Sequence, residues 1–345
     1  MKGKLSILAM VFISIFSLMM FTQLNSSFAA DKPIELRLAI HTPPGSLVYK
    51  IVSTWKDKVE EVTGGQVIVT IYPAQSLVKI QDAYSATVKG ICDIAFAPLD
   101  MDASRYSLNL ITEMPLMGWP AGVAPSRIWR DLRTKFPEMS DEYKEVKILW
   151  SYTALPMTLH LTKKQVRVPD DLKGLKIEAG GLKSVAIKYY GSSPMVMPPS
   201  EWYTALDRGI EDGMIHNFAV IFVLKVHTLL THHVDVDFGL LSQSIIMNKR
   251  KWDSLPVDIQ KKIDDLTPWI EEKSVEFSDE LDKKIQVMCK DLGHTFYKPT
   301  LEERQLWLKG AISVQDYWIQ ENEAKGYPAK TILEETKALI EKYQK

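Results

Sequence analysis

The chain has 345 residues, 46% hydrophobic and 25% charged, with 42 Lys and Arg against 43 Asp and Glu. That length allows one large or two medium domains with proper cores. The near-balanced charge, with no basic patch and no acidic tail, argues against a nucleic-acid partner.

The N-terminus reads as an export signal. Lys2 and Lys4 precede an apolar run from Leu5 to Phe21, and Ser27 and Ala29 place small residues around a cleavage point. Cleavage is expected after Ala29 or Ala30, so that residues 1–30 are removed. The apolar run is shorter than the roughly 20 residues a membrane span needs. No later segment is apolar enough to insert, and no cysteine near the cut supports lipid attachment.

The mature chain then alternates between two periodicities. Leu36, Leu38 and Ile40 alternate as in a strand, which Pro43, Pro44 and Gly45 break. Val48, Ile51, Trp55, Val59 and Val62 follow at helical spacing up to Gly64 and Gly65. Val67–Tyr72 is β-branched and strand-like. A second helix carries Ile80, Ala83, Tyr84, Thr87 and Val88, and a buried strand runs through Cys92 to Phe96. Cys92 and Cys289 are expected to be buried, unpaired thiols. Val146–Tyr152 reads as a further strand, with extended chain at 158–161. The pattern restarts with a strand at 174–178, a helix at 184–190, a strand at 195–197, a helix at 201–208 capped by Ser200, and a strand at 212–217. From Thr267, read as an N-cap before Pro268, an apolar stripe of about 24 residues predicts a helix of roughly 36 Å, followed by two more amphipathic helices.

Strand–helix alternation predicts α/β architecture with mostly parallel sheets. Two such units are expected, one from 31–153 with 240–275 and one from 154–239 with 276–345, joined by long C-terminal helices that span both. Open α/β sheets bind ligands beyond the carboxyl ends of their strands, so two facing edges can close on a solute about a hinge.

Several blocks resemble the solute-binding proteins of tripartite ATP-independent periplasmic (TRAP) transporters, the DctP-like family. Arg167–Ile177 (RVPDDLKGLKI) is similar to their central signature, and Pro194–Leu206 (PMVMPPSEWYTAL) to a second one. Gly209–Gly213, Val62–Gly65 leading to Tyr72–Pro73, Lys89–Ala95 and Lys251–Pro256 occur in the order seen there. The resemblance covers nearly the whole mature chain. It implies a two-domain, type II-like periplasmic-binding-protein fold with a hinge cleft. It also implies a periplasmic location, delivery of a small solute to small and large membrane subunits, and neither catalysis nor a cofactor. A periplasmic hydrolase or a ligand sensor on the same scaffold is the alternative.

The pocket departs from the family pattern. Members usually carry an arginine after the G-L-K-I strand that clamps a carboxylate; Glu178 stands there. A second frequent arginine aligns with Met157 or Thr158, the family's asparagine in D-G-Q-E-N-P becomes His216 before Asn217, and the aromatic before S-E-x-Y becomes Pro199. His41 ends the first strand, and Phe96 and Pro98 match pocket positions on the third. Glu178 is therefore expected to face an ammonium or hydroxyl of the ligand, or else to pair with Lys183 or Lys176. Lys183 keeps an organic acid possible. His41, His216 and Asn217 are expected hydrogen-bond partners.

Other features carry less. Trp202 and Tyr203 read as core more than contact. His227, His232 and His233 lie in HTLLTHH, which lacks the HExxH glutamate, and are expected to be solvated. A metal site from His41, Glu178 and His216 is not expected, because the sequence offers no close ligand spacing. Ser53-Thr54-Trp55-Lys56 matches S-x-x-K by coincidence on a helix.

Overall fold

The computed structural model describes residues 32–344; the leader expected over 1–30 lies outside them. The strands are β1 (Ile34–Ala39), β2 (Val67–Tyr72), β3 (Ile94–Pro98), β4 (Val146–Pro156), β5 (Thr158–Leu161), β6 (Lys176–Glu178), β7 (Ser193–Met195), β8 (Gly213–His216), β9 (His232–Val234), β10 (Leu240–Asn248) and β11 (Thr295–Tyr297). The helices are α1 (Leu47–Val62), α2 (Ala83–Lys89), α3 (Ala124–Lys135), α4 (Pro137–Asp141), α5 (Gly181–Tyr189), α6 (Trp202–Asp207), α7 (Phe218–Val223), α8 (Lys249–Asp253), α9 (Val257–Asp264), α10 (Thr267–Asp291), α11 (Leu301–Glu323) and α12 (Ala329–Gln344).

The strands form two sheets, β2-β1-β3-β10-β4 and β11-β9-β5-β8-β6-β7. The strand–helix alternation produces parallel pairing where it is clearest, β1 with β2 and β3, and β6 with β7 and β8. Both sheets are nevertheless mixed. β10 runs antiparallel to β3 and β4, and β5 antiparallel to β8 and β9. Apolar periodicity does not reveal β10, because it is buried along its whole length yet carries Ser242, Gln243 and Ser244. The two serine hydroxyls have partners, Ser242 donating to Thr112 at 2.7 Å and Ser244 sharing a hydrogen bond with Tyr143 at 2.9 Å, whereas Gln243 Oε1 is buried without one and lines a cavity between the sheets.

Helix α10 ties the two sheets together. Its first half buries Ile270 and Val275 in the core under β1, β2 and α1, and its second half buries Ile285 and Cys289 against α6, α7 and Phe218. A larger core joins the remaining faces, from Trp129 of α3 through Ile177 of β6 to Trp307 of α11. Two expected caps are displaced. Thr267 lies inside α10, after the N-cap Leu266, and its hydroxyl instead donates to Leu149 O at 2.8 Å, which fastens the helix to β4. Ser200 does not cap α6; Glu201 holds that position and makes no side-chain cap bond. Cys92 and Cys289 are buried and unpaired, as expected.

The segment after β3 must approach β10 closely to reach the space between the sheets. Gly239 allows this, with φ +88° and a missing Cβ that would otherwise overlap the backbone of Glu113. Gly239→Ala is expected to cost about 2 kcal/mol or more, read as a lower urea midpoint at unchanged slope. An alanine variant as stable as the parent would contradict the close approach.

Candidate functional site

The carboxyl ends of the strands from both sheets converge on one cleft. His41 lies two residues beyond β1, Pro98 ends β3, Glu178 ends β6 and His216 ends β8. Between them is a cavity whose open space, solvent at its mouth included, is about 840 Å³. His41, Phe96, Pro98, Pro199, His216 and Asn217 line it, with Tyr152 and Trp202. An adjoining recess shares Asp100, Pro199, Trp202 and His216 and adds Glu178 and Lys183. Thr158 lines neither; it pairs with His216 across β5 and β8 from outside the cavity. Tyr203 is exposed and also outside, whereas Trp202 is buried in the wall.

Aromatic packing sets the shape of the wall. The His41 and Phe96 rings are 5.5 Å apart and Phe96 meets Tyr152 edge-on at 6.5 Å. Trp202 sits 5.3 Å from the His216 ring and is fixed by its Nε1–H, which donates to Met197 O at 3.0 Å. Asn217 is positioned by its role as N-cap of α7, with Oδ1 accepting from Val220 N at 3.0 Å. The Nδ1 atoms of His41 and His216, Oε1 of Gln243 and Oδ1 of Asp100 are buried without a partner in this wall, which makes them unanswered polar groups.

The recess is where charge gathers. Lys183 of α5 is 1% exposed, and its Nζ lies 3.3 Å from Asp100 Oδ2 and 3.8 Å from Glu113 Oε2. Burial works against its charge, but Asp100, Glu113 and Glu178 outweigh that and hold Lys183 above the usual lysine range. Lys183 therefore forms its ion pair and hydrogen bond with Asp100, with Glu113 close by, and Glu178 feels it only through space. Burial pushes the Glu178 carboxyl up to about 8, with Lys183 pulling down and Asp100 pushing further up. Burial likewise raises Glu113 to about 8. The imidazoles go the other way: burial lowers His41 to about 4 and His216 to about 3. At neutral pH both are uncharged, so neither supplies a cation. Lys183 is the sole Lys or Arg among the described residues of the cavity and recess.

Sequence reasoning missed Asp100 and Glu113. Asp100 follows β3 by two residues, and the rule that ligands sit beyond strand ends could have flagged it. Glu113 lies in a short helical turn with no local signal, and only the approach to Gly239 brings it in. The HTLLTHH histidines are not uniformly solvated. His227 and His232 are half-buried, and His233 is 1% exposed because β9 is an interior strand of its sheet, flanked by β11 and β5.

Comparisons with known proteins agree with this layout. The family described as "Bacterial extracellular solute-binding protein, family 7" matches residues 38–321. A C4-dicarboxylate-binding periplasmic protein DctP of Rhodobacter capsulatus is 26% identical over 301 residues, 84% of this chain and 87% of its own. Two solved structures are similar. A TRAP periplasmic solute-binding protein of Desulfovibrio salexigens, in an open complex, has a TM-score of 0.80 at 27% identity over 90% of this chain and 97% of its own. A TRAP solute-binding protein of Rhodoferax ferrireducens with copurified benzoate has a TM-score of 0.84 at 25% identity over 90% and 98%.

Glu178 makes stability depend on pH in a definite direction. Folded, its carboxyl stays protonated up to about 8; unfolded, it ionises near its ordinary value of 4.5. The folded state binds the extra proton between those values, so this contribution declines as pH rises through the window. Thermal unfolding of the solute-free protein is expected to show Glu178→Gln gaining on the parent from pH 5 to 8, on the order of a few kcal/mol. A difference that does not change with pH would contradict the assignment.

Proposed function

Because the chain belongs to family 7 of the bacterial extracellular solute-binding proteins, TRAP periplasmic proteins that bind small solutes and are not enzymes, we propose that its cleft takes a solute with an apolar or aromatic body and an ammonium group directed at Glu178. The observation that carries this reading is the engagement of Lys183 by Asp100 and Glu113, which leaves no free cation for a carboxylate. Phe96, Tyr152 and Trp202 would cover the apolar body, and the unpartnered Nδ1 atoms of His41 and His216 would bond to polar substituents. At 4 Å and an effective dielectric near 20, an ammonium–carboxylate pair is worth roughly 4 kcal/mol. Ionising Glu178 at neutral pH, one unit below its value of about 8, costs only about 1.4 kcal/mol. Attraction wins.

The remaining parts of the reading rest on the family. The solute is delivered to a small and a large TRAP membrane subunit, after a leader over 1–30 is cleaved and the mature chain is released into the periplasm. Residues 31–153 with 240–275 and 154–239 with 276–345 move as two halves about the cleft. No helix of the described residues is long and apolar enough to cross a membrane.

A second reading is favoured by the relatives: the similar protein of Rhodobacter capsulatus is a C4-dicarboxylate-binding one, and that of Rhodoferax ferrireducens holds copurified benzoate. In that case an organic acid approaches Lys183, and a protonated Glu178 donates to it. A calorimetric screen of amines, amino acids, polyols and aromatic acids separates the two. The ammonium reading expects amines to bind tightest and to lose about 100-fold or more in Glu178→Gln, the equivalent of roughly 2.7 kcal/mol. Tight acid binding that survives Glu178→Gln and collapses in Lys183→Ala would overturn it.

A further inference from the structure

Outside the cavity and recess, four ring or thiol groups converge between β5, β9 and the chain that follows α10. His233 Nε2 lies 3.1 Å from His294 Nδ1, and His233 Nδ1 lies 2.8 Å from His160 Nδ1. His160 Nε2 is 2.9 Å from the backbone oxygen of His216. Cys289, at the end of α10, completes the group: one ligand atom each from His233, Cys289 and His294 fall within 4.8 Å of one another. His233 and Cys289 are buried and His294 is half-buried.

The hydrogen bonds fix where the lone pairs point. A carbonyl oxygen only accepts, so His160 Nε2 carries the hydrogen and donates to His216 O. A neutral imidazole has one N–H, so His160 Nδ1 is an acceptor and His233 Nδ1 must donate to it. That leaves the lone pair of His233 on Nε2, facing His294 and Cys289. A ring whose outer N–H is held by a hydrogen-bond partner and whose inner nitrogen faces a thiol and a second imidazole is the arrangement metal-binding histidines adopt.

We propose that His233 Nε2, His294 Nδ1 and Cys289 Sγ form a site for a thiophilic divalent ion of the zinc type, with a solvent molecule entering beside His294 as fourth ligand. Two imidazoles and a thiolate select Zn²⁺ and its neighbours over Mg²⁺ or Ca²⁺. Bond lengths of about 2.0–2.1 Å to nitrogen and about 2.3 Å to sulfur put tetrahedral ligand atoms roughly 3.3–3.6 Å apart. The nitrogen pair, 3.1 Å apart, has to open by about 0.2 Å, and the sulfur, within 4.8 Å of both nitrogens, has at most about 1.2 Å to close. On binding, Cys289 releases its thiol proton to solvent, and His294 moves its hydrogen from Nδ1 to Nε2. The relay through His160 ends on the backbone of His216, so an ion here braces the strand end that lines the cleft.

Co²⁺ titration of the chelator-treated mature protein tests this. The expected result is one equivalent bound, with a thiolate-to-metal charge-transfer band and tetrahedral visible absorption, both displaced by Zn²⁺. Cys289→Ser should abolish the charge-transfer band, and His294→Ala, at a half-buried position, should weaken binding by more than the roughly 10–100-fold that a supporting outer partner contributes. Should Cys289→Ser fail to fold, Zn²⁺ must still raise the melting temperature of the parent and not of His294→Ala. Folded parent that gives no charge-transfer band, a band that survives Cys289→Ser, or equal Zn²⁺ stabilisation of His294→Ala would each overturn the proposal.

Discussion

The buried ion pair of Lys183 with Asp100, with Glu113 close by, is the constraint on which the cleft depends. Lys183 stands on α5, which follows β6 of the six-stranded sheet, while Asp100 and Glu113 follow β3 of the five-stranded sheet. The contact therefore links segments that follow strands of the two different sheets, at the recess beside the cavity. All three groups are buried. Leaving a buried charge without its partner costs about 3–5 kcal/mol, so Lys183 is not available to reach for an incoming anion without a replacement for what it gives up.

Burial sets the protonation of the other groups around that pair. With one ammonium shared among several carboxyl groups, desolvation keeps Glu113 and Glu178 protonated to about 8. The same desolvation keeps His41 and His216 neutral. The cleft thus presents aromatic surface, two unanswered imidazole nitrogens and a carboxyl group that ionises only when a positive charge arrives. Where the family it resembles places an arginine, this chain carries Glu178, and under the proposed reading the polarity of the cleft's charged end is inverted. The scaffold is unchanged, because strand ends carry the ligand contacts and the sheets carry the fold.

The fold was legible wherever periodicity was clean. β1 to β3 and the helices between them, β6 with the helix after it, and the long α10 all follow from apolar spacing. β10 was invisible because Ser242 and Ser244 interrupt its apolar pattern, and their burial is permitted only by hydroxyl partners from distant segments. At the site, His41, Phe96, Pro98, Glu178, Lys183, Pro199, His216 and Asn217 line the cleft or its recess, since each sits at or just past a strand end or on the adjoining helix. Thr158, the first residue of β5, lines neither space although it is the cross-strand partner of His216. Glu113 could not be read from the sequence at all, because its place depends on the backbone of Gly239 passing within van der Waals distance. His233 was misjudged for the same kind of reason: a run of histidines looks solvated until the strand carrying it is found between β11 and β5.

The most direct measurement is the proton balance of solute binding, from calorimetry at pH 7 in buffers of different ionisation enthalpy. If Glu178 receives an ammonium, its carboxyl, protonated up to about 8 in the solute-free protein, must ionise on binding. Close to one proton, about 0.9, should be released per solute bound, and none in Glu178→Gln. Proton uptake, or the same proton count in parent and Glu178→Gln, would contradict the inverted polarity of the cleft.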